Sequence, residues 1–236
     1  MYLPRHFCVT DLAAIAAFVD AAAAADLVTF DGARPVATLL PVIWERPAGF
    51  AEPGADAGYG RLLGHLALAN PQWQTAQPGM QALAIVHGPQ AYISPSWYES
   101  KARHGRVVPT WNYQAVHLTG PLTVHRDPEW LRALVSRLTR QHELTSGGRP
   151  PQTPPQARSP RPWAVTDAPP EYIDGQLRAI VGVELTVTSI EAKQKLSQNR
   201  SELDRAGVVA GLRAEPGPGA AAIADAMAAQ LTAIEA

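Results

Sequence analysis

Short apolar runs, each cut off by glycine or proline, fill the first half of this chain and leave no room there for a stack of long helices. Residues 26–30, 35–44, 59–68, 82–87, 91–94 and 116–124 all read as strands of this kind. Closely spaced short strands joined by Gly/Pro turns favour a barrel or sandwich. Asp31-Gly32 suits the hairpin between the first two runs. Pro41, inside the run 35–44, removes a ladder donor and so calls for a sheet edge or a bulge. Gly88-Pro89 parts 82–87 from 91–94. Val116, Leu118, Leu122 and Val124 alternate with His117, Thr119 and Thr123, which reads as a half-buried strand pair bent at Gly120-Pro121.

Helices punctuate this pattern. Thr10 or Asp11 caps one running to about residue 25, with Leu12, Ile15, Phe18, Val19 and Ala22 on one face. Asp127-Pro128-Glu129 is a helix start, a cap followed by a first-turn proline and an acid at the positive end. Its buried face is Leu131, Leu134, Val135 and Leu138, and it ends near Leu144. Residues 145–162 are dominated by Pro, Gly, Ser and Arg and read as a linker. Residues 163–173 lead into a short helix. Val181, Val183, Leu185 and Val187 alternate with polar neighbours as a strand. Ser201 caps a helix in 201–212, with Asp204 at the position of a capping-box acid. A last helix covers about 220–234, with Ile223, Met227, Leu231 and Ile234 on one face.

Composition removes several classes of function. A formal net charge of −1 argues against a large electrostatic footprint on nucleic acid. Cys8 is the only cysteine, which rules out an intramolecular disulfide or a cysteine-rich zinc site. No apolar run approaches the length of a membrane span and the first residues do not read as a secretory signal, so a cytoplasmic protein is expected. Neither a phosphate-binding P-loop, nor a G-x-G-x-x-G after a strand, nor H-E-x-x-H is present. The seven histidines lack tight metal-ligand spacing. His117 and His125 would converge only if their strand pair folded back on itself, and no metal is expected.

The chemistry concentrates in residues 92–113, which hold Tyr92, Trp97, Tyr98, Trp111 and Tyr113 beside Ser94, Ser96, Lys101, Arg103, His104 and Arg106. Aromatic faces beside hydroxyls and cations suit a flat, conjugated, phosphorylated ligand. They suit a packed interface as well. A second polar cluster, Lys195, Ser197, Gln198, Asn199 and Arg200, follows the strand of residues 181–187. Its alternative reading is a solvated loop with a helix cap.

Seven ordered blocks settle a resemblance. They are MYLPRHF (1–7), ATLLP (37–41), GHLALANPQW (64–73), GPQAYISPSWY (88–98), VPTWNYQAVHLTGPL (108–122), RPWAVTDAPPEYI (161–173) and KLSQNRSELDRAGVVAGL (195–212). Through them the chain resembles the PaiB-type family of FMN-binding negative transcriptional regulators. The resemblance implies a mainly-β α+β fold, an FMN-binding split β-barrel related to the pyridoxamine-phosphate-oxidase-like fold, with peripheral helices. It implies one domain over 1–236, carrying the Pro/Arg-rich loop near 145–162 and a C-terminal helical extension over 201–236. It further implies a homodimer with FMN at the subunit interface, and a repressor with a DNA or regulatory-protein partner. The fold also hosts FMN-dependent oxidoreductases and flavin reductases that use NAD(P)H, which is the second reading. Carried over by motif, Thr38, Leu39 and Pro41 would line the flavin edge, and His65 and Asn70 would approach it. Ser94, Trp97, Tyr98, Lys101, Thr110, Trp111, Asn112 and Tyr113 would give ring packing and phosphate contacts. Lys195, Gln198 and Arg200 would complete the pocket. Leu39 stands where the family often has His, and Gln194 where it often has an aromatic residue.

Overall fold

The hairpin expected at residues 31–34 is the simplest place to see sequence become structure. In the computed structural model, which describes residues 1–50, 58–77, 79–146 and 162–232, the Asp31 carboxylate accepts the Ala33 and Arg34 amides at 2.8 Å each. Gly32 supplies the left-handed φ of 96° that such a turn requires. The described elements are β1 (Cys8–Val9), α1 (Leu12–Ala22), β2 (Ala24–Phe30), β3 (Pro35–Pro41), β4 (Ile43–Glu45), β5 (Arg61–Ala67), β6 (Gln81–Ile93), α2 (Ser100–His104), β7 (Thr110–His125), α3 (Pro128–Ser146), α4 (Pro170–Arg178), β8 (Ile180–Thr186), β9 (Ser189–Lys195), α5 (Glu202–Ala214) and α6 (Pro218–Thr232). Two compact units emerge. One comprises Met1–Phe18, Val86–His117 and Glu191–Ala236, the other Val19–Ile85 and Leu118–Ile190.

In the second unit the strand order is β3-β2-β6-β7-β8-β5-β4, with β6 and β7 represented by residues 81–85 and 118–125. Pairing is antiparallel, with Phe30 opposite Pro35 and Ala24 opposite Pro41. β3 ends the order, so Pro41 sits on an edge where its missing donor costs no ladder bond. The run 35–44 is two strands rather than one: the Val42 amide still bonds the Ala23 carbonyl at 3.0 Å, in register with the β2–β3 ladder, but from Ile43 on the chain pairs with β5 instead. Residues 116–124 are not a bent pair either but part of the single strand β7. Gly120 serves close approach instead of a turn: a Cβ there would lie 1.8 Å from the Thr186 carbonyl oxygen. His117 and His125 therefore lie along one continuous strand and do not fold back toward each other.

β8 pairs on one side with β5, over seven positions from Arg61–Thr186 to Ala67–Ile180, and on the other with β7. The expected alternation of buried and exposed residues is absent, and residues 181–185 are all buried. Helix α3 is the reason. Asp127 caps it by accepting the Trp130 amide at 3.0 Å. Leu134 and Leu138 pack with Leu63 of β5. Trp130 occupies the space over Gly182, where a Cβ would come within 2.1 Å of its ring. His125 stacks on the same indole at 4.1 Å and 11°. Glu184, buried on β8, takes a 3.1 Å hydrogen bond with His125 Nε2 and lies 3.4 Å from the Arg61 guanidinium. A buried carboxylate needs such partners.

In the first unit the order is β6-β7-β9-β1. β6 runs unbroken through Gly88-Pro89. Gly88 makes room for Phe18, whose ring a Cβ would meet at 2.6 Å. Asp11 caps α1 by accepting the Ala13 amide at 2.9 Å. That helix stops at Ala22, short of the expected end, because Ala23 turns to a φ of 53° and β2 begins. α5 and α6 bury Val208, Val209, Leu212, Ile223 and Met227 against Ala91, Ile93 and Leu196. The expected linker lies, from 147 to 161, outside the described residues, as does Ile234. Among the described residues no helix is long and apolar enough to cross a membrane.

The Trp130 seat gives a stability test. Gly182→Ala should lower unfolding free energy by about 2–3 kcal/mol in urea titrations, the scale of overpacking a filled core. In a Trp130→Ala background the same change should cost much less, because the clashing ring is gone.

Candidate functional site

The first unit gathers cations without pairing them. β9 delivers Lys193 and Lys195, and the turn after it delivers Arg200. No carboxylate forms a salt bridge with any of the three among the described residues. The Lys195 ammonium donates to the Trp111 carbonyl at 2.6 Å and to the Thr110 hydroxyl, at the start of β7. Burial pushes its pKa below the ordinary lysine value, and the charges of Lys193 and Arg200 push the same way. Lys193 is buried, donates to the Tyr2 carbonyl at 2.9 Å, and sits 5.6 and 5.3 Å from the Tyr2 and Tyr113 ring centres. The Arg200 guanidinium lies 5.0 Å from the centre of the Tyr98 ring. Three cations held in place, of which only Arg200 has a carboxylate, Asp204, near enough to feel its charge, can receive an anion with little reorganisation.

The surrounding polar groups fall into two sets. Some are committed to the fold. Asn112 is fully buried and exchanges hydrogen bonds with Ser197 at 3.0 and 3.2 Å. Gln198 folds back on its own turn, accepting the Leu196 amide at 2.8 Å and donating to the Gln194 carbonyl at 2.6 Å. Tyr98 is buried, and Trp97 fills a notch over Gly211, where a Cβ would come within 2.4 Å of its ring. Ser94 caps the turn that follows it, accepting the Ser96 amide at 3.2 Å. Others remain presented to solvent. Trp111 is 46% exposed, with its Nε1 donating to Gln90 at 3.0 Å, and Tyr92 lies 6.4 Å from it, centre to centre. Lys101 is exposed and reaches Ser96 at 3.3 Å. The flat ring of a bound cofactor would have Trp111 and Tyr92 to lie against, and its phosphate the Lys195 group.

The second unit holds the other expected residues. Asn70 donates to the Thr38 hydroxyl at 3.0 Å, and Thr38 donates to Gln72 at 2.6 Å. Gln72, buried, in turn donates to the Leu27 carbonyl at 2.9 Å and the Thr29 hydroxyl at 3.1 Å, locking the β2–β3 hairpin. Leu39, 66% exposed, points the opposite way from Thr38 and Leu40 on β3, and Pro41 is exposed at the strand end. His65 is not brought to this group. It shares a strand face with Leu63, which packs under α3. Its buried Nδ1 has no partner among the described residues, and burial holds its pKa below the ordinary histidine value.

Three contributors escaped the sequence reading, and a fourth, Ser197, entered it only as a member of the second polar cluster. Gln72 lies inside a quoted block but carries no pattern of its own. Lys193 belongs to a strand, β9, whose weak alternation gave no signal. Ser197 adopts a φ of 62°, rare for a side-chain-bearing residue, and turns β9 toward α5. Asp204 was read only as a cap partner. The Ser201 hydroxyl does accept its amide at 3.2 Å, but its buried carboxylate accepts the Ser100 amide and hydroxyl at 2.9 Å each. That bond ties the aromatic segment to α5.

Comparison with known proteins places the chain in a family. Residues 1–189 match the family model described as "Putative FMN-binding domain". The chain is 34% identical over 227 residues, 96% of each sequence, to the protease synthase and sporulation protein PAI 2 of Bacillus subtilis. It is 32% identical over 186 residues to an uncharacterized protein of Aspergillus fumigatus, covering 66% of this chain and 67% of that one. Among solved structures it is similar to an FAD and heme binding protein of Mycobacterium smegmatis, with TM-score 0.51 and 13% identity over 84% of this chain and 78% of the other. A conserved hypothetical protein of Mycobacterium tuberculosis gives TM-score 0.52 and 11% identity over 86% and 95%. Fold and family thus define a flavin-binding protein of the split-barrel class, mainly β with peripheral helices. The chain belongs to the FMN-binding domain family, and its cofactor is FMN.

Asp204 gives the site a pH signature. Burial pushes its pKa up, but the Ser100 amide and hydroxyl, the Ser201 hydroxyl and the Arg200 charge outweigh this and hold it below the ordinary value of 3.8. A depressed carboxylate stabilises the fold above its unfolded pKa, and that contribution is lost as pH falls through the folded one. Asp204→Asn should therefore lose stability at neutral pH, by about 1–3 kcal/mol. It should also flatten the decline seen below about pH 4. Denaturation midpoints measured from pH 7 to pH 2 check both.

Proposed function

We propose that this chain is an FMN-binding regulator of the PaiB type, a homodimer whose flavin is held at the subunit interface and biases a repressing contact. The observation that carries the reading is the group of Lys193, Lys195 and Arg200, none of them in a salt bridge among the described residues, set beside presented aromatic rings in a chain related to PAI 2 over nearly its whole length. The phosphate of FMN supplies the missing negative charge, with Lys195 and Arg200 as its principal partners. Trp111 offers a face for the isoalloxazine ring. The exposed aromatics Tyr92 and Trp111 would be covered on dimerisation. A near-neutral net charge favours repression through a modest patch or a protein partner over a broad hold on DNA.

Titration with FMN and with riboflavin, followed by flavin fluorescence, tests the phosphate seat. Lys195→Ala and Arg200→Ala should each weaken FMN by about tenfold or more, the scale of a charge-assisted hydrogen bond, and leave riboflavin nearly unchanged. Equal losses for both ligands would remove the cations from the site. Sedimentation of the FMN-loaded protein should give a dimer, and a monomer at micromolar concentration would overturn the shared interface. Rapid bleaching of the bound flavin by NADPH without oxygen would favour an oxidoreductase over the regulator.

A further inference from the structure

The second unit contains a cavity that shares none of the residues expected at the flavin. It opens where the start of α3, the end of α4 and the ends of β5 and β8 meet, and encloses about 350 Å³. Its buried floor is Leu131 and Leu177. Leu68 and Ile180 continue the apolar wall. At the rim stand Arg126 and Arg178, both exposed, and neither forms a salt bridge among the described residues. Arg126 lies 5.5 Å from the centre of the Trp73 ring, which orients its guanidinium. The one acid in the lining, Asp174, is already paired with Arg132 of α3. The rim thus carries two cations against one neutralised carboxylate. Nothing in the fold requires this arrangement, since an exposed arginine contributes little to stability.

Volume, floor and rim together specify a ligand. A cleft of this size, mostly apolar with a few convergent polar groups, has the form of a small-molecule site. Two arginines with free donors select an anionic head, and carboxylate matches their planar fork. The apolar floor selects a body that prefers to leave water. We infer that this cavity is a second binding site, for a small organic acid that carries an aromatic or branched apolar body on a single carboxylate. The carboxylate lies between Arg126 and Arg178, and the body lies over Leu131 and Leu177.

The test uses the full chain saturated with FMN and titrates 3-phenylpropionate by calorimetry. Saturable binding is expected, with a Kd on the order of 1 mM, the range open to a ligand of this size. The Arg126→Gln/Arg178→Gln double variant should lose at least tenfold, and its unchanged melting temperature would show that the exposed changes leave the fold intact. Asp174→Asn, which frees the Arg132 guanidinium to act as a further cation at the rim, should tighten binding several-fold. Retained affinity in the double variant overturns the proposal. So does equal affinity for the neutral 3-phenylpropanamide, which would leave only an apolar crevice. Equal affinity for inorganic phosphate, which would leave only exposed charge, or the absence of saturable binding overturns it as well.

Discussion

Burial of both faces of β8 is the constraint on which the second unit depends. A strand covered on one side can keep its polar residues in water, but residues 181–185 have no such side. Each position must then be apolar, absent or paired. Val181, Val183 and Leu185 are apolar, Gly182 makes way for the Trp130 ring, and Glu184 is met by His125 and Arg61. The cap at Asp127, the indole of Trp130 and the stacked His125 follow from this requirement. A charged layer beneath a helix is costly unless every member is satisfied. Here the partners of Glu184 arrive from the two strands that flank it, β5 and β7.

The first unit solves the opposite problem. Its core is conventional, with α5 and α6 closing over apolar positions of β6 and of the turn after β9. Its polar edge is left unbalanced. Lys193, Lys195 and Arg200 are oriented by carbonyls, hydroxyls and rings rather than by carboxylates. Neutral acceptors hold a cation in place without cancelling its charge, and burial first, then the charges of Lys193 and Arg200, lower the pKa of Lys195. That is how a protein prepares a seat for an anion, and it fits a family whose cofactor carries a phosphate.

Much of the fold was legible because local rules acted undisturbed. Asp11, Asp127 and Ser201 cap the helices their sequences announce. Asp31-Gly32 makes its turn, and Pro41 lies on an edge. Two of the misreadings share one cause. Gly88 and Gly120 were taken as breaks in a strand, whereas each is a contact point. A Phe18 ring presses on one and the Thr186 carbonyl on the other. Glycine marks a lack of side chain, and sequence cannot tell whether that lack serves a turn or a neighbour. Of the candidate site residues, Lys195, Thr110 and Trp111 were brought together, as were Thr38 and Asn70, while His65 went under α3.

What the sequence determined by itself was the run of elements, the family and the cofactor class, because caps, turns and motif blocks are written in adjacent residues. Only the tertiary structure decided which aromatic and polar groups are free for a ligand. Trp97, Tyr98 and Asn112 share a motif style with Trp111, yet the first three are spent on packing and the last is exposed. The difference lies in Gly211, Arg200 and Ser197, which stand 114, 102 and 85 residues further along the chain from Trp97, Tyr98 and Asn112. Burial and charge balance are sums over neighbours in space, and that sum exists only once the chain has closed on itself.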